Sequence, residues 1–126
     1  MGNPQMELAA VTIDCSDAAR LADFYAKLTG GEVTYSDAEQ GYGQTQFGGA
    51  TLNFQEVHSY TPPQWPGQEH AQQFHLDLRV PDLEVAVGHA MGLGATQALD
   101  QPSAESYRVM IDPDGHPFCL CPPSAG

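Results

Sequence analysis

Phe74-His75-Leu76-Asp77-Leu78-Arg79-Val80-Pro81-Asp82 is the stretch whose pattern decides the fold. Apolar and polar residues alternate strictly through it. Phe74, Leu76, Leu78 and Val80 fall on one face, and His75, Asp77 and Arg79 on the other. A period of two is the mark of a strand with one buried face. Strands of this kind normally carry plain solubilising residues on the open side. Here the open side carries an imidazole, a carboxylate and a guanidinium. Pro81-Asp82 stops the strand where a helix can begin. The rest of the chain has to cover one side of this strand and wall in the other.

Working back from it, the first half shows the same order of signals. Residues 1–6 read as a loose arm. Leu8 to Cys15 alternates, with Ala9, Val11, Ile13 and Cys15 on one face and Ala10, Thr12 and Asp14 on the other. Ser16 or Asp17 is a good helix N-cap. Ala18 to Leu28 carries Leu21, Phe24, Tyr25 and Leu28 on one stripe, and Gly30-Gly31 ends the helix. Three short strands fit between turn signals, at Glu32–Ser36, Gly43–Phe47 and Thr51–Val57. Residues 58–72, with Pro62-Pro63, Pro66-Gly67 and the only tryptophan, Trp65, read as a linker or a surface loop. Trp65 there either forms a lid over a ligand or packs on the body of the domain.

After the opening strand, Asp82 is an N-cap candidate and Leu83 to Met91 a helix with Leu83, Val87 and Met91 in register. Strands are expected near Ala95–Leu99, Tyr107–Ile111 and Pro117–Cys121, with a tight turn at Asp112-Pro113-Asp114-Gly115. The tail from Pro122 to Gly126 is expected to fray. The two halves are therefore an internal repeat. Ala10 aligns with His75, Val11 with Leu76, Ile13 with Leu78 and Asp17 with Asp82. Near the other end Leu52 aligns with Phe118, Asn53 with Cys119 and Phe54 with Leu120. The expected fold is α+β: a single domain over 1–126 made of module 1 (7–57), the linker (58–72) and module 2 (73–122). Each module is βαβββ. Together they form a cup-shaped, partly open mixed sheet with the helices outside and the polar faces inside.

Composition narrows the partners. Lys and Arg number 4 against 16 Asp and Glu, a net charge of -12. Such a chain repels phosphate backbones and anionic membrane surfaces, and it steers cationic small molecules inward. No signal peptide, myristoylation pattern or bilayer-length apolar run is visible, so a cytoplasmic protein is expected. Cys15, Cys119 and Cys121 are odd in number, and the last two lie two apart on one strand face, so reduced thiols are expected.

Taken together, Asp23-Phe24-Tyr25, Leu28 and Gly30-Gly31 in module 1, and His75-Leu76-Asp77-Leu78-Arg79-Val80, Leu93-Gly94-Ala95, Asp112-Pro113-Asp114-Gly115 and Phe118-Cys119-Leu120 in module 2, resemble the vicinal oxygen chelate superfamily. That superfamily includes glyoxalase I, extradiol dioxygenases and bleomycin-binding proteins. The Phe-Cys-Leu ending is similar to a large glyoxalase-like group. In metal-using members four side chains line the cup. The resemblance carries those positions to Ala10, Asn53 (or its neighbour Gln55), His75 and Cys119. Only His75 keeps the expected ligand type. Alanine offers no donor, Asn53 a neutral oxygen, and Cys119 a soft thiol where a carboxylate is expected. Such a set is poor for hard octahedral metals, and a His/Cys zinc site wants more nitrogen or sulfur donors.

With no resident cofactor expected, the cup is a pocket for a small organic molecule, cationic or aromatic, and the protein binds it without a metal. Sequestering an antibiotic or toxin is one such role. The ligand-binding candidates are Thr12, Asp14, Asn53, Gln55, His75, Asp77, Arg79, Cys119, Cys121 and Trp65. The competing role is an enzyme of the lyase, isomerase or dioxygenase kind. It would use His75 as acid or base, or a divalent metal at His75, Asn53 and Cys119. Each candidate has a plain structural role beside the functional one. Arg79 would most simply pair with Asp77 or Asp14, His75 be a satisfied histidine and Cys119 a small packed residue. His116, after the tight turn, is read as a surface residue, and His58, His70 and His89 have no pattern around them. A homodimer, with modules paired within a chain or exchanged between two, is also expected from the resemblance.

Overall fold

The computed structural model describes residues 5–123. The arm and the frayed tail expected at the two ends fall largely outside those residues. The chain divides into two compact units, 1–58 and 59–126. Each is a four-stranded mixed sheet with one helix, so the α+β class and the doubled βαβββ order are both present.

In the first unit the sheet order is β1-β4-β3-β2, from β1 (Val11–Cys15), β2 (Glu32–Asp37), β3 (Tyr42–Phe47) and β4 (Ala50–Glu56). β1 runs parallel to β4, with Thr12 opposite Asn53 and Asp14 opposite Gln55. Helix α1 (Ala18–Thr29) starts at Asp17, whose carboxylate accepts from the Arg20 amide at 3.0 Å. It ends at Gly30 in the left-handed conformation, φ 74°. Of the apolar stripe read from the sequence, Leu21, Phe24 and Tyr25 join Ile13, Cys15, Leu52 and Phe54 in the core, while Leu28 is half-buried. Tyr25 stacks on Phe54 with ring centroids 5.6 Å apart. The helix lies close on β3. A Cβ on Gly43 would stand 2.8 Å from the Ala18 carbonyl oxygen. Beside it the buried Thr45 hydroxyl donates to the Ala22 carbonyl at 2.7 Å.

In the second unit the order is β5-β8-β7-β6, from β5 (Leu76–Arg79), β6 (Thr96–Gln97), β7 (Arg108–Ile111) and β8 (Pro117–Cys121). Helix α2 (Leu83–Gly92) begins at Asp82, whose side chain accepts from the Val85 amide at 3.1 Å. Phe118, Leu120 and Met110 lie under it with Val87 and Ala90. Three expectations need correction here. Phe74, expected on the buried face of the strand, lies before β5 and is exposed, because the pairing with β8 begins only at Leu76. Met91 is exposed, and Ala90 takes the buried place one residue earlier. The strand expected over Ala95–Leu99 shrinks to Thr96–Gln97, and Leu99 is fully exposed.

Nothing in the sequence pattern marks the role of Arg108. Its place in β7 puts it on the helix side, next but one to Met110. Nη2 donates to Glu84 Oε1 at 2.6 Å, Nη1 to Gln97 Oε1 at 2.9 Å, and Nε to the Ala104 carbonyl at 3.2 Å. The guanidinium therefore ties the first turn of α2 to β6 and to the loop before β7. No helix among the described residues is long and apolar enough to cross a membrane.

Close helix–sheet packing at Gly43 makes a direct prediction. Gly43→Ala forces α1 away from β3 against backbone, so it should destabilise the protein by about 1–3 kcal/mol. Chemical denaturation, with Gly48→Ala avoided as a control because Gly48 needs a positive φ, would measure the loss. An unchanged midpoint would show that the helix seat is loose.

Candidate functional site

A cavity of about 580 Å³ opens on the face of the second unit's sheet away from α2. Its floor is set by strand register. β5 pairs parallel to β8 with Asp77 opposite Cys119 and Arg79 opposite Cys121. β8 pairs antiparallel to β7 with Cys119 opposite Val109. Alternation therefore brings Asp77, Arg79, Cys119, Cys121 and Val109 to one side, and His75 joins them from just before β5. Trp65 and Gln72 from the 59–72 strap, with Tyr107, complete the wall.

His75 Nε2 lies 3.2 Å from Asp77 Oδ1. The Cys119 sulfur lies within 4.8 Å of the same carboxylate, which therefore sits between an imidazole and a thiol. Burial pushes the Cys119 thiol up from its ordinary 9.0 to about 11, helped by the Asp77 charge and then by Cys121. Cys121 is also raised, by burial first and then Asp77, while Arg79 pulls it down. All three cysteines are free thiols, as expected. Both pocket thiols are protonated at neutral pH, which makes them packing and hydrogen-bonding groups rather than nucleophiles.

Six of the ten ligand-binding candidates meet here: Trp65, His75, Asp77, Arg79, Cys119 and Cys121. The other four, Thr12, Asp14, Asn53 and Gln55, share the open face of the first unit's sheet. There Asn53 Oδ1 accepts from Gln44 Nε2 at 2.8 Å, and Gln55 Oε1 accepts from the Tyr42 hydroxyl at 3.0 Å. Gln72 and Ser106 line the cavity without any sign of it in the sequence, whereas Tyr107 is, with Tyr42 and Phe47, an aromatic that the sequence offers as pocket wall. Tyr107 carried a weak signal as an aromatic on a strand edge, but Gln72 sat in a polar loop with nothing to mark it.

His116 is a correction. Its place after the tight turn points to a surface residue, yet its side chain is only 16% exposed and it is gripped on both sides. Nδ1 lies 2.8 Å from Asp112 Oδ2, and Nε2 lies 3.0 Å from the Tyr60 hydroxyl. Spacing could not show this, because Tyr60 reaches the turn only in three dimensions.

The metal positions implied by the resemblance do not fit a hard cation. Ala10 has no donor, and the Asn53 oxygen is engaged by Gln44. Among the described residues, His75, Asp77 and Cys119 form one group compact enough to hold an ion, their ligating atoms within 4.8 Å of one another. It offers one nitrogen, one oxygen and one soft sulfur. That mixture is foreign to the oxygen-rich octahedral sites of Mn or Mg, and suits a softer ion if any.

Two βαβββ modules, each with a polar sheet face left uncovered by its helix, define a protein of the vicinal oxygen chelate class. The chain belongs to the glyoxalase-like domain family, whose model matches residues 10–121. No curated protein matches the sequence. Among solved structures it is similar to the fosfomycin resistance protein FosX from Listeria monocytogenes, at 15% identity and TM-score 0.70, covering 96% of each chain. A mutant of that protein, complexed with Mn(II) and 1S,2S-dihydroxypropylphosphonic acid, matches at 15% identity and TM-score 0.70 over 94% of this chain and 90% of its own. A glyoxalase/bleomycin resistance protein/dioxygenase family enzyme from Burkholderia phytofirmans PsJN matches at 15% identity and TM-score 0.67, over 93% and 98%. At such identities the likeness is one of fold.

The raised thiols predict slow chemistry at neutral pH. Iodoacetamide at pH 7.5, followed by peptide mass spectrometry, should label Cys119 at least a hundredfold more slowly than the unfolded chain. Labelling should accelerate above about pH 10, and Asp77→Asn should speed it by removing the second cause of the shift. Rapid labelling of native Cys119 at pH 7.5 would mean a thiolate and a different site. Linkage has the matching sign. The folded state favours the neutral thiol, so its contribution to stability is complete below pH 9.0 and is lost as pH rises towards about 11.

Proposed function

We propose that this protein binds a small organic molecule without a resident metal, in the cavity on the open face of its second module. The preferred ligand is a flat aromatic compound bearing a basic nitrogen. The observation that carries this is the lining itself: aromatic walls at Trp65 and Tyr107 face a floor where His75, Asp77 and Arg79 converge. A pocket with apolar walls and a few placed polar groups is what organic-ligand sites look like. Flat ligands gain from stacking on such walls. Gln72 Oε1 adds a point of selectivity, as a buried acceptor with no hydrogen-bond partner. It asks for a donor on the ligand, and the Asp77 carboxylate asks for the same. The net charge of -12 steers a cation in.

A phosphonate such as the one held by the Listeria neighbour fits less well. It carries two negative charges at most, and Arg79 is the one permanent cation lining this cavity. Sequestration of a cationic aromatic antibiotic or toxin, in the cytoplasm, is the biological role this chemistry suits.

A second role has its own observation. The 3.2 Å contact from Asp77 to His75 Nε2 orients the imidazole, as a carboxylate orients a general acid or base. In that case the bound molecule would leave changed.

Thermal-shift screening of metal-free protein against aromatic amines, aromatic acids and phosphonates separates these roles. Aromatic amines should raise the melting temperature, Trp65→Ala and Asp77→Asn should each weaken the best hit at least tenfold, and mass spectrometry should recover it intact. Stabilisation by phosphonates alone, or hits indifferent to both variants, would overturn the proposal. A chemically altered product whose formation is lost in His75→Ala would establish the enzyme instead.

A further inference from the structure

The tight turn between β7 and β8 and the strap at 59–66 are joined by a chain of three polar contacts that the cavity does not use. At one end, the Asp112 carboxylate is buried. Its Oδ1 accepts the Asp114 amide at 2.8 Å and the His116 amide at 3.0 Å, and its Oδ2 lies 2.8 Å from His116 Nδ1. In the middle, His116 Nε2 lies 3.0 Å from the Tyr60 hydroxyl. At the other end, that hydroxyl donates to the Asp114 carbonyl at 2.9 Å. Pro62 closes on the same turn. Gly115 has φ 96°, and a Cβ there would stand 2.6 Å from the Pro62 Cβ, so this approach requires glycine.

Counting protons along this chain shows which state of the ring lets every contact be a hydrogen bond. A carboxylate and a carbonyl only accept, and a tyrosine hydroxyl has one proton to give. That proton goes to Asp114. The contact between Tyr60 and Nε2 then needs a proton from the histidine. The contact with Asp112 needs another from Nδ1. All three links are made at once only when both ring nitrogens carry hydrogen, which is the imidazolium. Remove one proton, and the Tyr60 hydroxyl must choose between His116 and Asp114. The groups facing the ring are the Asp112 carboxylate from its own turn and the Tyr60 phenol from the strap, with Asp114 presenting its carbonyl.

What the strap holds is Trp65. Five residues after Tyr60, the tryptophan enters the cavity wall. Just before it, the Gln64 amide donates to the His70 carbonyl at 2.6 Å, and Gln64 bridges to Ala71. Trp65 thus sits between two anchors, and one of them depends on a proton.

We propose that Asp112, His116 and Tyr60 are positioning residues for the cavity: protonated His116 fastens the strap to the β7–β8 turn and so sets Trp65 in the wall. The clamp is complete at low pH and loosens as pH rises and the ring loses its proton. This goes beyond the ligand proposal and does not require a ligand to test.

Trp65 is the only tryptophan, so its intrinsic fluorescence reports the strap alone. Titration of the full chain from pH 5 to 9 should give one transition in the histidine range, roughly pH 6–8. His116→Gln should abolish it. Tyr60→Phe, which keeps the ring and removes only the hydroxyl, should also abolish it while the His116 ring still titrates by NMR. His75→Gln and His70→Gln, which alter the histidines nearer Trp65 in the cavity and in the strap, should leave it in place. A transition that survives in both His116→Gln and Tyr60→Phe, or that disappears in His75→Gln or His70→Gln instead, would overturn the proposal. So would a flat wild-type titration. Should His116→Gln fail to fold, Tyr60→Phe decides alone.

Discussion

The parallel pairing of β5 with β8 is the constraint on which the site depends. Its register sets Asp77 against Cys119 and Arg79 against Cys121. A slip of β5 by one residue would turn Asp77 and Arg79 onto the helix face and bring Leu76 and Leu78 to the open side. The register is held because the alternative buries the Asp77 and Arg79 charges beside Phe118, Leu120 and Met110 and turns Leu76 and Leu78 away from that cluster. Core burial therefore chooses the chemistry of the cavity floor, with no residue of the floor needing to specify it.

The carboxylate of Asp77 is the electrostatic hub of that floor. It pairs with His75, lies beside the Cys119 sulfur and helps raise both thiols. One negative charge shared among an imidazole and two protonated thiols makes a surface that welcomes a hydrogen-bond donor. It makes a poor nucleophile and a poor cage for a hard metal. The family fold is kept here, and a fold does not fix an activity, so the chemistry has to be read from this floor itself.

Much of this architecture is legible in the alternation of residues. The matching apolar positions of the two halves, Ile13 with Leu78 and Leu52 with Phe118, announce the repeat, and the period of two places His75, Asp77, Cys119 and Cys121 together. What escapes are groups whose partners lie far along the chain. Arg108 looks like a misplaced charge in an apolar strand until Glu84 and Gln97 are seen around it. His116 looks like a turn residue until Tyr60 arrives from the strap. Met91 fits helical spacing as well as Ala90 does, and only the position of the sheet decides between them. Leu99 extends an apolar pattern that the β6–β7 pairing ends two residues earlier.

The central claim is that the cavity floor works without a resident metal, and elemental analysis of the untagged protein beside His75→Ala tests it most directly. The account predicts less than about a tenth of an equivalent of any divalent metal in either protein, before and after incubation with Mn(II), Fe(II), Ni(II) and Zn(II) followed by desalting. A stoichiometric metal that survives desalting in the wild type and is lost in His75→Ala would contradict it, and would make His75, Asp77 and Cys119 a metal centre.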